Sequence, residues 1–419
     1  VLPALRASGL AAGRVAGGAR GAVSERTTRR KHGVLVVAEV ALATALLVAA
    51  GLLIRSFGEL AGIDPGFRDD RMLTIDASVP ADRYPERADA LAYYNEIERR
   101  VAALPGVVAV GAVDRLPFGQ SSSRTTVWPG SGPTADDAAA PTALNLTARP
   151  GYFEAMDIPL VRGRAFDARD VEDAQPTVVA SRSLAERLQP DGDVIGQHVT
   201  VFGASLEIVG VVGDVRHFGP AVEAEPMLYF TQATDPATVR RNMTLVVRTR
   251  PSPEALAPLV RAEIRAVDPL VPISQGRSFS ALRAEKVAGE RFNALLVGAF
   301  GTLALSLVAV GIYGVMAFAI VQRTREIGVR MVLGASGAAV LGNVLADAVR
   351  LVLAGLVIGL LVAVPLARVL RGLLFGIAPF DITSFAAAGA AMLLVGVCAA
   401  MLPARRAAGI EPVAALRQE

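Results

Sequence analysis

The sequence predicts an α-helical membrane protein with a large α/β extracytoplasmic domain, and three observations carry that expectation. Four apolar runs, Gly33–Ile54, Ala294–Val321, Leu351–Ala367 and Ile382–Ala404, approach or exceed the roughly 20 residues that a helix rising about 1.5 Å per residue needs to cross about 30 Å of hydrocarbon. A long water-soluble stretch separates the first run from the other three. Of the 419 residues, 53% are hydrophobic and 19% charged; this is too apolar for an ordinary soluble chain and too polar for one lying wholly in lipid. Lipid supplies no partners for backbone N–H and C=O groups, and no alternating barrel pattern is present, so the runs are expected to be helices. The plan is one span, an insert, then three spans. Its parts are a cytoplasmic segment over 1–32, a span over 33–54, an extracytoplasmic domain over 55–290, a membrane domain over 291–404 and a cytoplasmic tail over 405–419. The later spans are expected near 292–321, 343–368 and 382–404.

Short loops rich in Lys and Arg stay in the cytoplasm. Arg26, Arg29, Arg30 and Lys31 precede the first span, Arg323, Arg325 and Arg330 follow the second, and Arg405, Arg406 and Arg417 follow the fourth. All three segments fall on one side, which sends the insert to the other. Arg368 and Arg371 dissent, because this topology puts them beside an outer loop. The first span is longer than the apolar core of a signal peptide and its basic lead runs about 30 residues, so it reads as a retained anchor.

Within the insert, Met72–Val79 reads as a strand. Arg87–Leu104 carries Leu91, Tyr94, Ile97, Val101 and Leu104 on one helical face, and Val107–Val113 is apolar and β-branched after Pro105-Gly106. That pattern is one β-α-β unit. A second comprises Met243–Thr249, a helix over Pro253–Val267 and a short strand near Val271–Ser274. The two bracket a middle segment with a helix near Ser183–Leu188, a strand over Leu206–Val212 and a polar turn at Ser131–Asp137, read as a second lobe inserted into the first. From Phe279 to Val321 there is no proline. Either the charged stretch Ser280–Arg291 runs straight into the second span as one helix of about 65 Å, a stiff lever, or it kinks at Gly289.

The loop after the second span reads Gln322-Arg-Thr-Arg-Glu-Ile-Gly-Val-Arg-Met-Val-Leu-Gly-Ala-Ser336. Glu326 and Arg330 stand four apart, where a helical ion pair forms, and Ile327, Met331 and Val332 make a small apolar face. Gly334 supplies a helix stop and Ser336 a new N-cap. A short amphipathic helix at the cytoplasmic surface is predicted.

Arg325-Glu-Ile-Gly-Val-Arg330 with Leu333-Gly-Ala335 resembles the cytoplasmic signature of FtsX/MacB-type permeases of ABC transporters. The one-plus-three span plan and the tail Leu402-Pro-Ala-Arg-Arg-Ala-Ala408 are similar too. So are Gly151-Tyr-Phe with Met156, Pro159-Leu and Arg162-Gly-Arg, and the run Ile208-Val-Gly-Val-Val-Gly-Asp-Val-Arg216. The resemblance covers nearly the whole chain. It implies a two-lobed MacB-like periplasmic core domain, with porter and Sabre lobes. It also implies a site, Arg325, Glu326, Ile327, Gly328, Arg330, Leu333, Gly334 and Ala335, that docks into a separate cytoplasmic ABC-type ATPase. Leu2-Pro-Ala-Leu-Arg-Ala-Ser8 echoes the tail motif and the chain begins without Met. It is therefore expected to be the C-terminal half of a duplicated permease, similar to the acidobacterial duplicated permeases.

Catalytic readings fare badly. Neither of the two lysines, Lys31 and Lys286, follows a glycine, so the P-loop of an ATPase is missing. Val209-Gly-Val-Val-Gly-Asp214 lacks the full glycine spacing of a nucleotide turn and reads as a strand entering a turn. His32, His198 and His217 fit no metal-ligand spacing and are expected to face solvent. No cofactor, metal or nucleic-acid partner is expected, the arginines being scattered, and Cys398, the single cysteine, has no partner for a disulfide. Glu39, Asp347 and Arg350 are costly in lipid and are expected to face protein or water in structural roles, the last two as a pair. Gly355 and Gly359 form a small-residue face for close helix approach, either within this unit or between two.

The expected function is a non-catalytic permease unit of the inner membrane that carries ATP-driven motion outward for efflux or export. It would work with a second permease unit, membrane lipid and a periplasmic adaptor. A membrane-anchored sensor without an ATPase is the alternative.

Overall fold

The computed structural model describes residues 33–119, 123–132, 140–172, 176–190, 192–235, 239–333 and 336–408. The Leu2–Ser8 echo and most of the Ser131–Asp137 turn lie outside them. In chain order the elements begin with α1 (Gly33–Gly62), β1 (Met72–Ser78), α2 (Arg87–Ala102), β2 (Val107–Val113), β3 (Arg124–Thr126), β4 (Trp128–Pro129), β5 (Thr142–Thr147) and α3 (Tyr152–Met156). Next come β6 (Leu160–Gly163), α4 (Ala168–Glu172), β7 (Thr177–Ser181), α5 (Arg182–Leu188), β8 (His198–Val201), β9 (Ala204–Val212) and β10 (Met227–Phe230). The last are β11 (Asn242–Thr249), α6 (Pro253–Val267), β12 (Arg277–Ser278), α7 (Phe279–Lys286), α8 (Ala288–Val332), α9 (Gly337–Val369) and α10 (Ile382–Ala408). Gly62–Gly289 forms one compact unit, and the flanking helices form the other.

Among its described residues the outer unit has two sheets. The smaller runs β12-β1-β11-β2 and is antiparallel throughout. The two expected β-α-β units are therefore not side by side: β11 lies between β1 and β2, the split arrangement in which a crossover helix skips one strand. Strand alternation assigns each face. Leu73, Ile75, Ala77, Leu245 and Val247 pack on Tyr94, Ile97 and Val101 of α2 and Val260 and Ile264 of α6. Met72, Val113 and Val246 face the opposite way, into a core shared with Leu146, Tyr152, Phe153, Val179 and Tyr229. The expected strand near Val271–Ser274 is only a single bridge, Ile273 to Ala77, because β12 takes the edge of β1 a few residues later.

The larger sheet runs β3-β5-β10-β7-β9-β8-β4, with β6 on β9. Its parallel pairs, β5 with β10 and β7 with β9, are buried on both faces, as such strands usually are. Gly151 stands at φ +81, and a Cβ there would meet the Val110 carbonyl oxygen at 2.2 Å; only glycine lets the start of α3 lie on β2 in this way. The run Val209–Asp214 is a strand and turn: a Cβ at Gly210 would meet the Arg164 carbonyl oxygen at 2.0 Å, so this glycine serves a backbone crossing rather than a phosphate.

α6 begins with Pro253 in its first turn and ends at Asp268, just before Pro269. The Asp268 carboxylate accepts from Leu270 N–H at 3.0 Å, Tyr84 O–H at 2.9 Å and Arg83 Nη1 at 2.9 Å. These bonds, the backbone one foremost, hold its carboxyl below the usual range, against the effect of burial, while burial and the same carboxylate push Tyr84 up to about 12. A lowered carboxyl stabilises the fold above the ordinary carboxylate pKa near pH 4, and that contribution is lost as pH falls through the lower folded value. Asp268→Asn should therefore flatten the acid limb of stability for residues 62–289, read as thermal midpoints from about pH 2 to 7. A limb as steep as wild type would contradict this.

Among its described residues the membrane unit holds four helices long and apolar enough to cross a bilayer, Gly33–Gly62, Arg291–Gln322, Gly337–Leu373 and Ile382–Ala407. Val36, Val40, Val308, Ile312, Val352, Leu356 and Met392 fill their common core. Leu303, Val310, Leu361 and Leu394 stay exposed, as suits residues facing lipid. α1 and α9 touch through the two glycines singled out above: a Cβ on Gly355 would meet Val40 Cβ at 2.6 Å, and one on Gly359 the Ala41 carbonyl oxygen at 2.6 Å. The close approach thus falls within this unit.

The lever is interrupted. α7 ends at Lys286 and α8 begins at Ala288, with Val287 between them at φ −98°, ψ 8°. Neither the unbroken helix nor the kink at Gly289 describes this. α7 is anchored by Phe279, fully buried against Phe67 and Phe118, and by Arg283 on Asp69 at 3.1 Å, and such tertiary anchoring overrides helix propensity.

Candidate coupling segment and polar groups

The short cytoplasmic helix predicted after the second span does not stand alone. Arg325, Glu326, Ile327, Gly328 and Arg330 all lie on α8, which continues unbroken to Val332. The reason is local: between Val321 and Val332 the chain holds Gln, Arg, Glu and Met, good helix formers, no proline, and only Gly328 as a weak point. The side chains of those five residues, and Gly334 and Ala335 entirely, lie outside the described residues. Val329 and Leu333, one turn apart, are 43% and 81% exposed, and Leu333 N–H still donates to the Val329 carbonyl at 3.1 Å. Ser336 caps α9, its side chain accepting from Ala339 N–H at 3.3 Å. The segment is therefore a helix end presenting two apolar side chains, with a new helix capped by Ser336 a few residues on.

Glu39 on α1 points at α8, where a Cβ on Gly311 would meet its Oε2 at 2.3 Å; the missing side chain makes room for the carboxyl. Asp347 Oδ1 accepts from Arg350 Nη1 at 3.3 Å, one turn apart on α9. Glu39 is not hydrogen-bonded to that pair. Tyr313 O–H accepts from Arg406 Nη1 at 2.8 Å, tying α8 to α10. Among the described residues no group of His, Cys, Asp and Glu is placed to hold a metal ion. His217, expected in solvent, is 3% exposed and packs edge-on to Phe218 at 5.2 Å; its place in the turn after β9 draws it under the aromatic core.

Sequence reasoning passed over the polar cluster that joins the two lobes of the outer unit. Arg149 is 1% exposed. Its Nε and Nη2 donate to Glu98 Oε1 and Oε2 at 2.8 and 3.0 Å, and its Nη1 to Gln232 Oε1 at 2.6 Å; Nη2 also bonds Asn95. The guanidinium lies 5.8 Å from the Tyr94 ring centroid. Glu98 belongs to α2 on the small sheet, and Gln232 follows β10 of the large one. Burial pushes the Glu98 carboxyl up, and Arg149 pulls it back. Beside this, Asp235 Oδ2 accepts from Arg240 Nε and Thr147 O–H, both at 2.6 Å, and Asp114 Oδ1 from Thr147 N–H at 2.8 Å. The one available hint was the charged residue just before Pro150-Gly151, and no periodicity marks it.

Four helices suited to a bilayer, joined to a two-sheet extracytoplasmic domain, define an integral membrane protein with a large head outside the membrane. Comparison with known proteins narrows the class. Residues 34–267 match the MacB-like periplasmic core domain and residues 298–412 the FtsX-like permease C-terminal domain; the chain belongs to the FtsX/MacB-type family of ABC transporter permeases. It is 28% identical over 281 residues to the macrolide export ATP-binding/permease protein MacB 2 of Aeromonas hydrophila, covering 64% of this chain and 42% of that one. With the uncharacterized ABC transporter permease YvrN of Bacillus subtilis the identity is 27% over 286 residues, covering 64% and 68%. The periplasmic region of MacB from Actinobacillus actinomycetemcomitans aligns with a TM-score of 0.36 at 13% identity, over 52% of this chain and 94% of that one. The chain thus spans well under half the length of the MacB relative.

Proposed function

We propose that this chain is a permease unit of the inner membrane that transmits ATP-driven conformational change from a separate cytoplasmic ATPase to its extracytoplasmic domain, in the service of efflux or export. The observation that carries the reading is the continuity of α8. A proline-free helix of 45 residues joins the Arg325–Arg330 signature to the membrane span without a break, so a push on that end is delivered along a rod. The exposed pair Val329 and Leu333 supplies an apolar contact for the motor, and Glu326 with Arg330 a charged one. A second permease unit, joined or separate, and a periplasmic adaptor belong to the same proposal. Export of macrolides is what the name of the Aeromonas relative says of that protein; the cargo class here is drawn from it.

The test is reconstitution of the full chain in liposomes with its cognate ABC-type ATPase. Replacing Glu326 by Ala and Gly328 by Val should remove the stimulation of ATP hydrolysis while leaving membrane insertion intact. Undiminished stimulation would refute the docking role, and failure of any such ATPase to co-purify would favour a sensor without a motor.

A further inference from the structure

We propose that the rim of the membrane unit where α9 ends and α10 begins binds the phosphate of an anionic phospholipid headgroup through Arg368 and Arg371. Arg368 lies in the last turn of α9 and Arg371 in the 3-10 turn Leu370–Leu373 that follows. Both are exposed, and among the described residues neither has a carboxylate within ion-pair distance. Their neighbourhood explains why. The one acidic residue between Arg368 and Ile382 is Asp381, and it is fully engaged. It takes Arg55 Nη1 at 2.7 and 2.9 Å, Thr383 O–H at 2.6 Å, and Ser384 N–H and O–H at 2.9 and 2.6 Å. The exposed Glu59 lies against Gly376 in the same connection, but among the described residues it forms no ion pair with either arginine, so both guanidinium groups are left to an outside anion. A helix dipole favours one cation in the last turn of α9, but Arg371 stands beyond that turn.

The geometry around Arg368 is suited to phosphate. Its guanidinium stands over the Phe380 ring, 5.4 Å from the centroid, so one face is covered while the N–H edge is free. A stacked guanidinium keeps its planar fork for two parallel bonds to an oxyanion. The surroundings select a lipid over a free ion. Val369, Leu373, Phe380 and Ile382 are 80%, 51%, 48% and 83% exposed, an apolar rim that acyl chains can cover and inorganic phosphate cannot. The site also lies at the ends of two candidate spans, Gly337–Leu373 and Ile382–Ala407, which is headgroup depth. This gives the two arginines that run against the positive-inside pattern a use on the outer face.

A basic residue near an anionic lipid surface contributes about 1 kcal/mol, or about five-fold in affinity, so two contribute roughly 30-fold. The experiment is native mass spectrometry of the full chain in mild detergent, titrated with phosphatidylglycerol or phosphatidylcholine. Wild type should prefer phosphatidylglycerol; R368Q/R371Q should lose about 30-fold of that affinity and each single variant about five-fold, with phosphatidylcholine binding unchanged. F380A should weaken phosphatidylglycerol binding as well. Equal binding of the two lipids by wild type, or undiminished binding by the double variant, overturns the proposal. So does displacement of the lipid by millimolar inorganic phosphate, which would mean a free-anion site. Should the double variant fail to fold, the wild type alone decides: phosphatidylglycerol affinity must fall as salt rises, and salt-independent binding rejects the site.

Discussion

Replacing Arg149 by alanine is expected to destabilise the outer unit by about 3–5 kcal/mol, the usual cost of stranding one member of a buried ion pair. Arg149 is 1% exposed and satisfies Glu98, Gln232 and Asn95 together. Its removal leaves the Glu98 carboxylate desolvated and two amide oxygens without their donor. For a unit spanning Gly62–Gly289, that cost corresponds to a fall of about 10 °C in thermal midpoint. Arg149→Lys should rescue little, since an ammonium cannot span both Glu98 oxygens and stack on Tyr94. Replacing Arg149 by Met and Glu98 by Leu together should cost much less than Arg149→Ala, because neither charge is then stranded. A midpoint within about 2 °C of wild type in the alanine variant would show that the cluster is not what joins the lobes.

Adding methyl groups at Gly355 and Gly359 should separate α1 from α9. The new Cβ atoms would meet Val40 Cβ and Ala41 O at 2.6 Å, and Val37 O at 2.9 Å. Backbone oxygens on a rigid helix cannot step aside as a side-chain tip can. Overpacking costs about 1–3 kcal/mol per site, which outweighs the gain of up to about 1 kcal/mol that alanine brings to helix propensity. G355A/G359A should therefore lower the thermal midpoint of the detergent-solubilised chain. G314A/G342A, where a Cβ meets nothing within 4 Å, should leave it unchanged or raise it. A fall of equal size in both pairs would point to glycine flexibility instead of packing.

The helical and strand elements with clean periodicity were legible in the sequence. Tyr94, Ile97 and Val101 announce α2, Leu256, Val260 and Ile264 announce α6, and the four apolar runs announce the spans. β7 and β10 were not. Thr-Val-Val-Ala-Ser and Met-Leu-Tyr-Phe are short, buried on both faces, and so lack the alternation that marks a half-exposed strand. The interleaving of β11 between β1 and β2 is a long-range pairing that no local pattern encodes. Ser336 was readable as a cap because capping is local. The break at Val287 was not, because it is set by where Phe279 is buried. In the same way, Arg149 gives no sign in the sequence of its partners 51 and 83 residues away.

The register of Leu73 with Ser278 and Thr74 with Arg277 sets the first and last strands of the outer unit side by side, about 5 Å apart. A two-strand doorway of this kind brings the entry and exit of the 73–278 portion together. Excising it leaves two chain ends that a tight hairpin could close, and a differently shaped head could be grafted onto the same pair of stems. Descendants of one ancestral membrane engine could in this way acquire new clients by trading heads, leaving the machinery in the bilayer untouched.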